Sequence, residues 1–229
     1  MLHSIPTAAH LYELPGSFGT KNDIKLAGMR SHVWLLGAVA AVFVWSAIGC
    51  YDLFTWFLEV LPAIIGIAVL IWMYPRFRFT TMVYAFIALH CIILMVGGHY
   101  TYEREPFFGW LKESFHLSRN YYDRVGHFAQ GFIPALIARE VLLRRTPLEP
   151  GKLLSFLVFS VCMAISAMYE LVEFAVARLS GSASDAFLGS QGDPWDTQWD
   201  MTFCLLGATC ALLLLSRAHD SALKRIGQG

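Results

Sequence analysis

The chain has 229 residues, of which 56% are hydrophobic and 15% are charged. Ordinary soluble domains contain roughly 45–50% apolar and about 25% charged residues, so this composition argues against a water-soluble globule. Lysine plus arginine and aspartate plus glutamate each number 17, and this balance leaves no basic surplus for binding nucleic acid.

Long apolar stretches dominate the chain from residue 33 onward. Each is about 20 residues long, which is enough for a helix to cross a hydrocarbon core of about 30 Å. The aliphatic residues are continuous rather than alternating, which disfavours a β-barrel. We therefore predict an all-α polytopic bundle of about six spans, at 33–50, 54–74, 79–98, 125–144, 153–178 and 197–216.

This pattern divides the chain into a polar N-terminal tail at 1–30, a transmembrane domain at 31–218 and a short tail at 219–229. Most lysines and arginines fall in the tails and in the segments that follow the second and fourth spans. By the positive-inside rule, both termini are then cytoplasmic and the lipid bilayer is the main partner. The short turn at 74–78 is predicted to be a solvated hairpin loop.

The segment 99–124 between the third and fourth spans is long and aromatic. Phe107, Phe108, Leu111, Phe115 and Leu117 approximate a helical spacing, which predicts a short helix in the outer interface. Two interpretations stay open for it, a lipid-facing lid or simple packing over the bundle.

The five cysteines lie in or beside apolar runs and show no CxxC spacing. We expect them to be small buried hydrophobes rather than a disulfide framework or a zinc site. They are Cys50, Cys91, Cys162, Cys204 and Cys210.

Acidic residues and histidines gather at the outer ends of several predicted spans. Asp123 and His127 are spaced i,i+4, and Glu170 and Glu173 are spaced i,i+3, so each pair shares one helix face. Acids at membrane depth usually pair, bind ions or line water-filled paths. We therefore predict one outward-facing polar cavity.

Carboxylate and imidazole groups at this density suit a divalent cation such as Mg²⁺, Mn²⁺, Ca²⁺ or Zn²⁺. The predicted ligands are Asp123, His127, Glu170, Glu173 and Asp200. The predicted rim consists of His99, Asp193 and Asp196. Arg124 and Arg178 are the candidate counter-ions, and they are too few to neutralise all the acids.

Simpler structural roles compete with the ion site. Asp193, Asp196 and Asp123 each precede an apolar run, where an aspartate caps a helix start. Glu140 lies beside Arg139 and four residues before Arg144, as in an ion pair at the inner boundary. His90, alone among aliphatic residues, is interpreted as a buried histidine rather than a ligand.

Several strings resemble the bacterial YjdF-like inner-membrane family, whose function is undetermined. They are GGHYTY at 97–102, YDRVGHFAQG at 122–131, ARE at 138–140, AISAMYELVE at 164–173 and GSQGDPWDTQWDM at 189–201. The resemblance extends over about residues 40–220 and implies an inner-membrane location.

A weaker similarity reaches the VanZ-like proteins, through residues 123–128, 170–173 and 200–207. Glu173 stands where glutamine is usual in that family, and Cys204 stands where asparagine is usual. The similarity implies work on the outer face of the cell envelope, on a lipid-linked molecule.

Two function classes are consistent with these features. One is a binding, proton-coupled, ion-coupled or accessory membrane protein. The other is an envelope enzyme, metal-dependent or not, with His127 and Glu170 as catalytic groups and an amphiphilic or lipid-linked substrate. The sequence contains no nucleophile elbow, Walker loop or HExxH motif to decide between them.

Overall fold

The computed structural model describes residues 21–180 and 185–227, and their regular structure is helical, with no strand in these two ranges. The predicted all-α fold is confirmed. A 3-10 turn at Tyr102–Arg104 follows the third helix. The helices are α1 Lys21–Ala47, α2 Leu53–Met73, α3 Thr81–Tyr100, α4 Pro106–Phe115, α5 Tyr122–Arg145, α6 Lys152–Ser180, α7 Asp185–Leu188 and α8 Asp196–Gly227.

Among the described residues, five helices are long and apolar enough to cross a membrane, namely α1 from Gly28, α2, α3, α6 and α8. The predicted span at 125–144 coincides with α5, which is long enough but carries more polar and charged residues than these five. α5 packs against α3, α6 and α8, so protein rather than lipid surrounds its polar side chains.

Successive long helices run in opposite directions, and this sorts the charges between two ends of the bundle. The acidic end contains the starts of α2, α5 and α8 and the ends of α3 and α6, and it includes Asp123, Glu170 and Asp200. The basic end lies opposite and includes Arg78 and Arg144. The Arg144 Nη1 donates to the Arg78 carbonyl at 2.6 Å, which joins two turns of the basic end.

α8 continues beyond the predicted limit of the last span at 216. The Arg139 Nη2 donates to Asp220 Oδ1 at 2.6 Å, and His219 Nε2 lies 3.0 Å from Glu140 Oε2. These contacts attach the last turns of α8 to α5, so part of the predicted C-terminal tail belongs to the bundle. Glu140 also pairs with Arg144 at 2.7 Å, as the sequence predicts, whereas Arg139 pairs with Asp220 instead.

At the other terminus, α1 begins at Lys21, within the predicted polar tail, and residues 1–20 lie outside the described ranges. The turn at 74–78 differs from the predicted solvated loop because Phe77 is buried in the core. The guanidinium of Arg144 stacks on its ring at 4.2 Å.

The predicted short helix in the loop is present as α4. The Glu105 carboxylate caps it by accepting from the Phe108 amide at 2.8 Å, and Pro106 occupies the first helical position. None of its residues is buried, and Phe107 and Trp110 are exposed. The five cysteines are free, and Cys91, Cys162 and Cys204 are buried as expected, whereas Cys50 and Cys210 are only half-buried.

Candidate functional site

Two glycines bring α5 and α8 into backbone contact below the acidic end. A Cβ atom at Gly131 would overlap the Cys204 carbonyl, and one at Gly207 would overlap the Phe128 carbonyl. Only glycine lets the two helices approach this closely. The seam places Asp200 of α8 beside the first turns of α5, where the candidate site begins.

Two arginines hold three aspartates together at the start of α5 and α8. Arg124 donates to Asp200, to Asp196 Oδ1 at 2.6 Å and to Asp123 Oδ2 at 3.2 Å. Arg119 donates to Asp196 Oδ1 at 2.5 Å and to Asp123 Oδ2 at 3.3 Å. All five residues are buried. Such charge-assisted hydrogen bonds are stronger than neutral ones and fix the positions of the carboxylates.

The segment that precedes α8 closes over this network. The Gly189 carbonyl accepts from Arg119 Nη2 at 3.0 Å. Gln191 exchanges two hydrogen bonds of 2.9 Å with the backbone of Asn120. Gly189 has a φ of 60°, which glycine adopts without strain.

His127 lies between the arginine network and α6. Its Nε2 is 3.4 Å from Asp123 Oδ1 and 3.5 Å from Asp200 Oδ1. Its Nδ1 is 3.2 Å from Gln130 Oε1 and 3.9 Å from Glu170 Oε1. Both ring nitrogens thus face oxygen atoms.

Three of these side chains could share one metal ion. Ligand atoms of Asp123, His127 and Asp200 lie within 4.8 Å of one another, and all three residues are buried. Ligand bonds of about 2.0–2.6 Å allow separations of this size around a single ion. Glu170 Oε1 is buried and has no hydrogen-bond partner in the described part of the chain.

A cavity of ≈ 130 Å³ extends from His127 into the bundle. Its wall includes Glu173, and Tyr169, whose hydroxyl donates to Glu59 Oε2 at 3.4 Å. His90 and Pro134, near the middle of α3 and α5, line its deeper part. The cavity therefore reaches from the acidic end to about mid-length of the bundle.

The structure brings Asp123, His127 and Asp200 into mutual proximity, with Glu170 beside His127 and Glu173 on the cavity wall. Asp196, predicted at the rim, is buried between the two arginines. The carboxylates of Asp123 and Asp196 bind arginine rather than the free amides of a helix start.

Asp193, the second predicted rim residue, is half-buried. Its Oδ2 lies 3.6 Å from both Arg119 and Arg124. The third, His99, makes its contacts elsewhere, since its Nδ1 lies 3.0 Å from the Ser46 carbonyl and its ring stacks on Trp45. The structure therefore does not place His99 in the cluster.

Several residues of the site were absent from the predicted set. Arg119, rather than the predicted Arg178, is the second counter-ion, and it lies in a loop without a helical pattern. Glu59, an acid within an apolar membrane helix, carried a clear signal in the sequence. Gln130 and Tyr169 carried no comparable signal, because neither side chain is charged.

Comparison with known proteins assigns a family. The family described as predicted membrane protein (DUF2238) matches residues 31–221. The chain belongs to this family. It is also 46% identical over 186 residues to "Inner membrane protein YjdF" of Escherichia coli (strain K12), covering 81% of this chain and 89% of the relative. The YjdF-like resemblance is thus confirmed.

No solved structure matches the chain. The similarity to the VanZ-like proteins is not shown by these comparisons. The family supports a membrane protein of undetermined function.

Proposed function

We propose that this chain is an ion-binding protein of the bacterial inner membrane, with a divalent cation held at its acidic end. In this proposal the acidic end faces outward and both termini are cytoplasmic, because the basic end carries most of the lysines and arginines. The ion lies between Asp123, His127 and Asp200, with Glu170 and Glu173 as further carboxylates.

The observation that carries the proposal is the unpaired oxygen of Glu170. Its Oε1 is buried without a hydrogen-bond partner among the described residues, and it lies 3.9 Å from His127 Nδ1. Leaving a buried carboxylate oxygen unpaired costs free energy, commonly more than about 1–3 kcal/mol. A cation bound beside His127 would offset the charge of this carboxylate.

The charge balance of the cluster supports the same conclusion. Arg119 and Arg124 provide two positive charges, while four aspartates surround them. Glu59, Glu170 and Glu173 are also buried nearby. In a medium of low dielectric constant this excess of carboxylates requires bound protons or a bound cation.

The arginines orient the carboxylates for an ion. Asp123 directs Oδ2 toward Arg119 and Arg124, and this leaves Oδ1 facing His127. Outer partners of this kind fix the geometry of metal ligands in proteins. A set of two carboxylates and one imidazole suits Zn²⁺ or Mn²⁺ better than Ca²⁺, which prefers oxygen ligands alone.

The proposal is tested by thermal unfolding of the purified full-length protein with Zn²⁺ or Mn²⁺ and after chelation. A metal present at 100 times its Kd stabilises the folded state by about 2.7 kcal/mol, and a chelator removes this gain. Glu170→Gln should reduce the gain without unfolding the bundle, and Glu113→Gln on exposed α4 is the matched control.

Two outcomes of that experiment would contradict the proposal. One is unfolding that neither metal nor chelator changes. The other is a Glu170→Gln variant that is as stable as the wild type, or more stable, both with metal and after chelation. In a network without an ion, the substitution would only remove like-charge repulsion.

A second candidate function is an envelope enzyme that acts on an amphiphilic or lipid-linked molecule. It is favoured by the position of His127 between Asp123 and Glu170, an arrangement typical of general acid–base groups. The cavity also has apolar walls at Leu94 and Ile165. Turnover of a lipid-linked envelope precursor by the purified protein, abolished in His127→Gln, would support this function, and no turnover would argue against it.

A further inference from the structure

A second cavity lies near the basic end, between the first part of α1, the last part of α2 and the first half of α3. α1 and α2 both pack against α3, and at their acidic ends Trp56 Nε1 donates to Ser46 Oγ at 3.1 Å. α1 and α2 leave a groove of ≈ 470 Å³ between them, and α3 forms its floor.

The groove is apolar along its length, with no acidic residue among those that line it. Its volume falls within the range of about 300–1,000 Å³ that is usual for small-ligand sites. The walls are formed by Val33, Leu36, Val39, Ile67 and Ile71. Val33 and Ile71 are 69% and 59% exposed, so the groove opens sideways toward the surroundings of the bundle, which for these helices are lipid.

The mouth of the groove at the basic end is polar and cationic. His32 lies 3.1 Å from the Tyr74 hydroxyl and 3.1 Å from Thr81 Oγ1. The Arg78 guanidinium stacks on the Tyr74 ring at 4.7 Å, and Arg76 stacks on Trp72 at 5.4 Å.

Both arginine side chains are exposed. Among the salt bridges of the described residues, none includes Arg76 or Arg78. Two positive charges therefore remain available at the mouth of an apolar groove. The combination matches a molecule with an anionic head and a hydrocarbon tail.

We propose that this groove binds one acyl chain of an anionic phospholipid, with the phosphate group at Arg76 and Arg78. The apolar walls exclude a polar solute, and the sideways opening admits a chain directly from the bilayer. Basic sites between membrane helices bind anionic headgroups. Each arginine raises the affinity for the headgroup about fivefold. This site does not depend on the proposed function of the acidic end.

The test is native mass spectrometry of the full-length protein, released from micelles that contain phosphatidylglycerol or phosphatidylcholine with identical acyl chains. Phosphatidylglycerol should be retained in preference to phosphatidylcholine. Arg78→Gln and Arg76→Gln should each reduce its retention about fivefold. Arg217→Gln, an exposed arginine of α8 near the same end, is the control and should change nothing.

A second variant tests the apolar part of the groove. Ala88→Phe places a ring on the buried floor and should expel the acyl chain, whereas Leu213→Phe on the exposed face of α8 should not. Equal retention of both lipids, or retention that is unchanged in the Arg76 and Arg78 variants, would overturn the proposal. The arginine variants keep the test decisive if Ala88→Phe fails to fold.

Discussion

Replacing Gly131 by alanine tests the contact that positions the candidate site. The added Cβ would overlap the carbonyl oxygen, the carbonyl carbon and the Cα of Cys204. These are backbone atoms, so they cannot rotate away. Overpacking costs typically about 1–3 kcal/mol, and a backbone clash belongs at the upper end of this range. Alanine regains about 1 kcal/mol of helix propensity, so we expect a net loss of about 2 kcal/mol.

For a chain of this size, that loss lowers the unfolding temperature by about 4–8 °C. Differential scanning fluorimetry of the detergent-purified variant measures it. Gly207→Ala, which meets the Phe128 carbonyl, should behave in the same way. Gly66→Ala in α2 is the matched control, because no atom lies within 4 Å of its Cβ, and it should be neutral or slightly stabilising. Equal stability of Gly131→Ala and Gly66→Ala would refute the close seam between α5 and α8.

Three further predictions concern other parts of the bundle. Glu140→Ala leaves the buried Thr80 amide and His219 ring without their partner and should cost about 3–5 kcal/mol of unfolding free energy. The control, exposed Glu149→Ala, should stay within about 0.5 kcal/mol of the wild type. The Thr55 amide, which donates to the Asp52 side chain, holds the pKa of Asp52 below its usual value. The stability of this cap should therefore be lost as the pH falls through that lowered pKa. Asp52→Asn should keep the cap but remove its contribution to the pH dependence of stability in urea titrations. A reporter active only in the periplasm should be inactive when fused after Gly229, and activity there would overturn the proposed topology.

The helices were predictable because a membrane helix is a local feature. A run of about 20 apolar residues is sufficient to identify it, and its ends need only be approximate. Spacing along one helix was equally informative, since Asp123 and His127 at i,i+4 do share a face and lie 3.4 Å apart. The clustering of acids at one end followed from counting residues along alternating helices.

Relations between helices were not predictable from one sequence. Arg119 lies in a loop, where no periodicity indicates direction, so its contacts with Asp123 and Asp196 could not be derived. His99 shares the acidic end by depth, but it faces α1 because side-chain direction depends on how α3 is rotated. The burial of Asp196 likewise depends on its contacts with Arg119 and Arg124, which only the packing reveals.

If the acidic end holds a divalent cation, the number of metal ions bound per chain reports it without any assumption about activity. Equilibrium dialysis of the purified full-length protein against Zn²⁺ or Mn²⁺, followed by elemental analysis, gives the number of bound ions per chain. We expect one ion per chain in the wild type and in Asp220→Asn, a control at the basic end. We expect none in the double variant Glu170→Gln, Asp200→Asn. No bound ion in the wild type, or equal retention in the double variant, would contradict the proposed cation site.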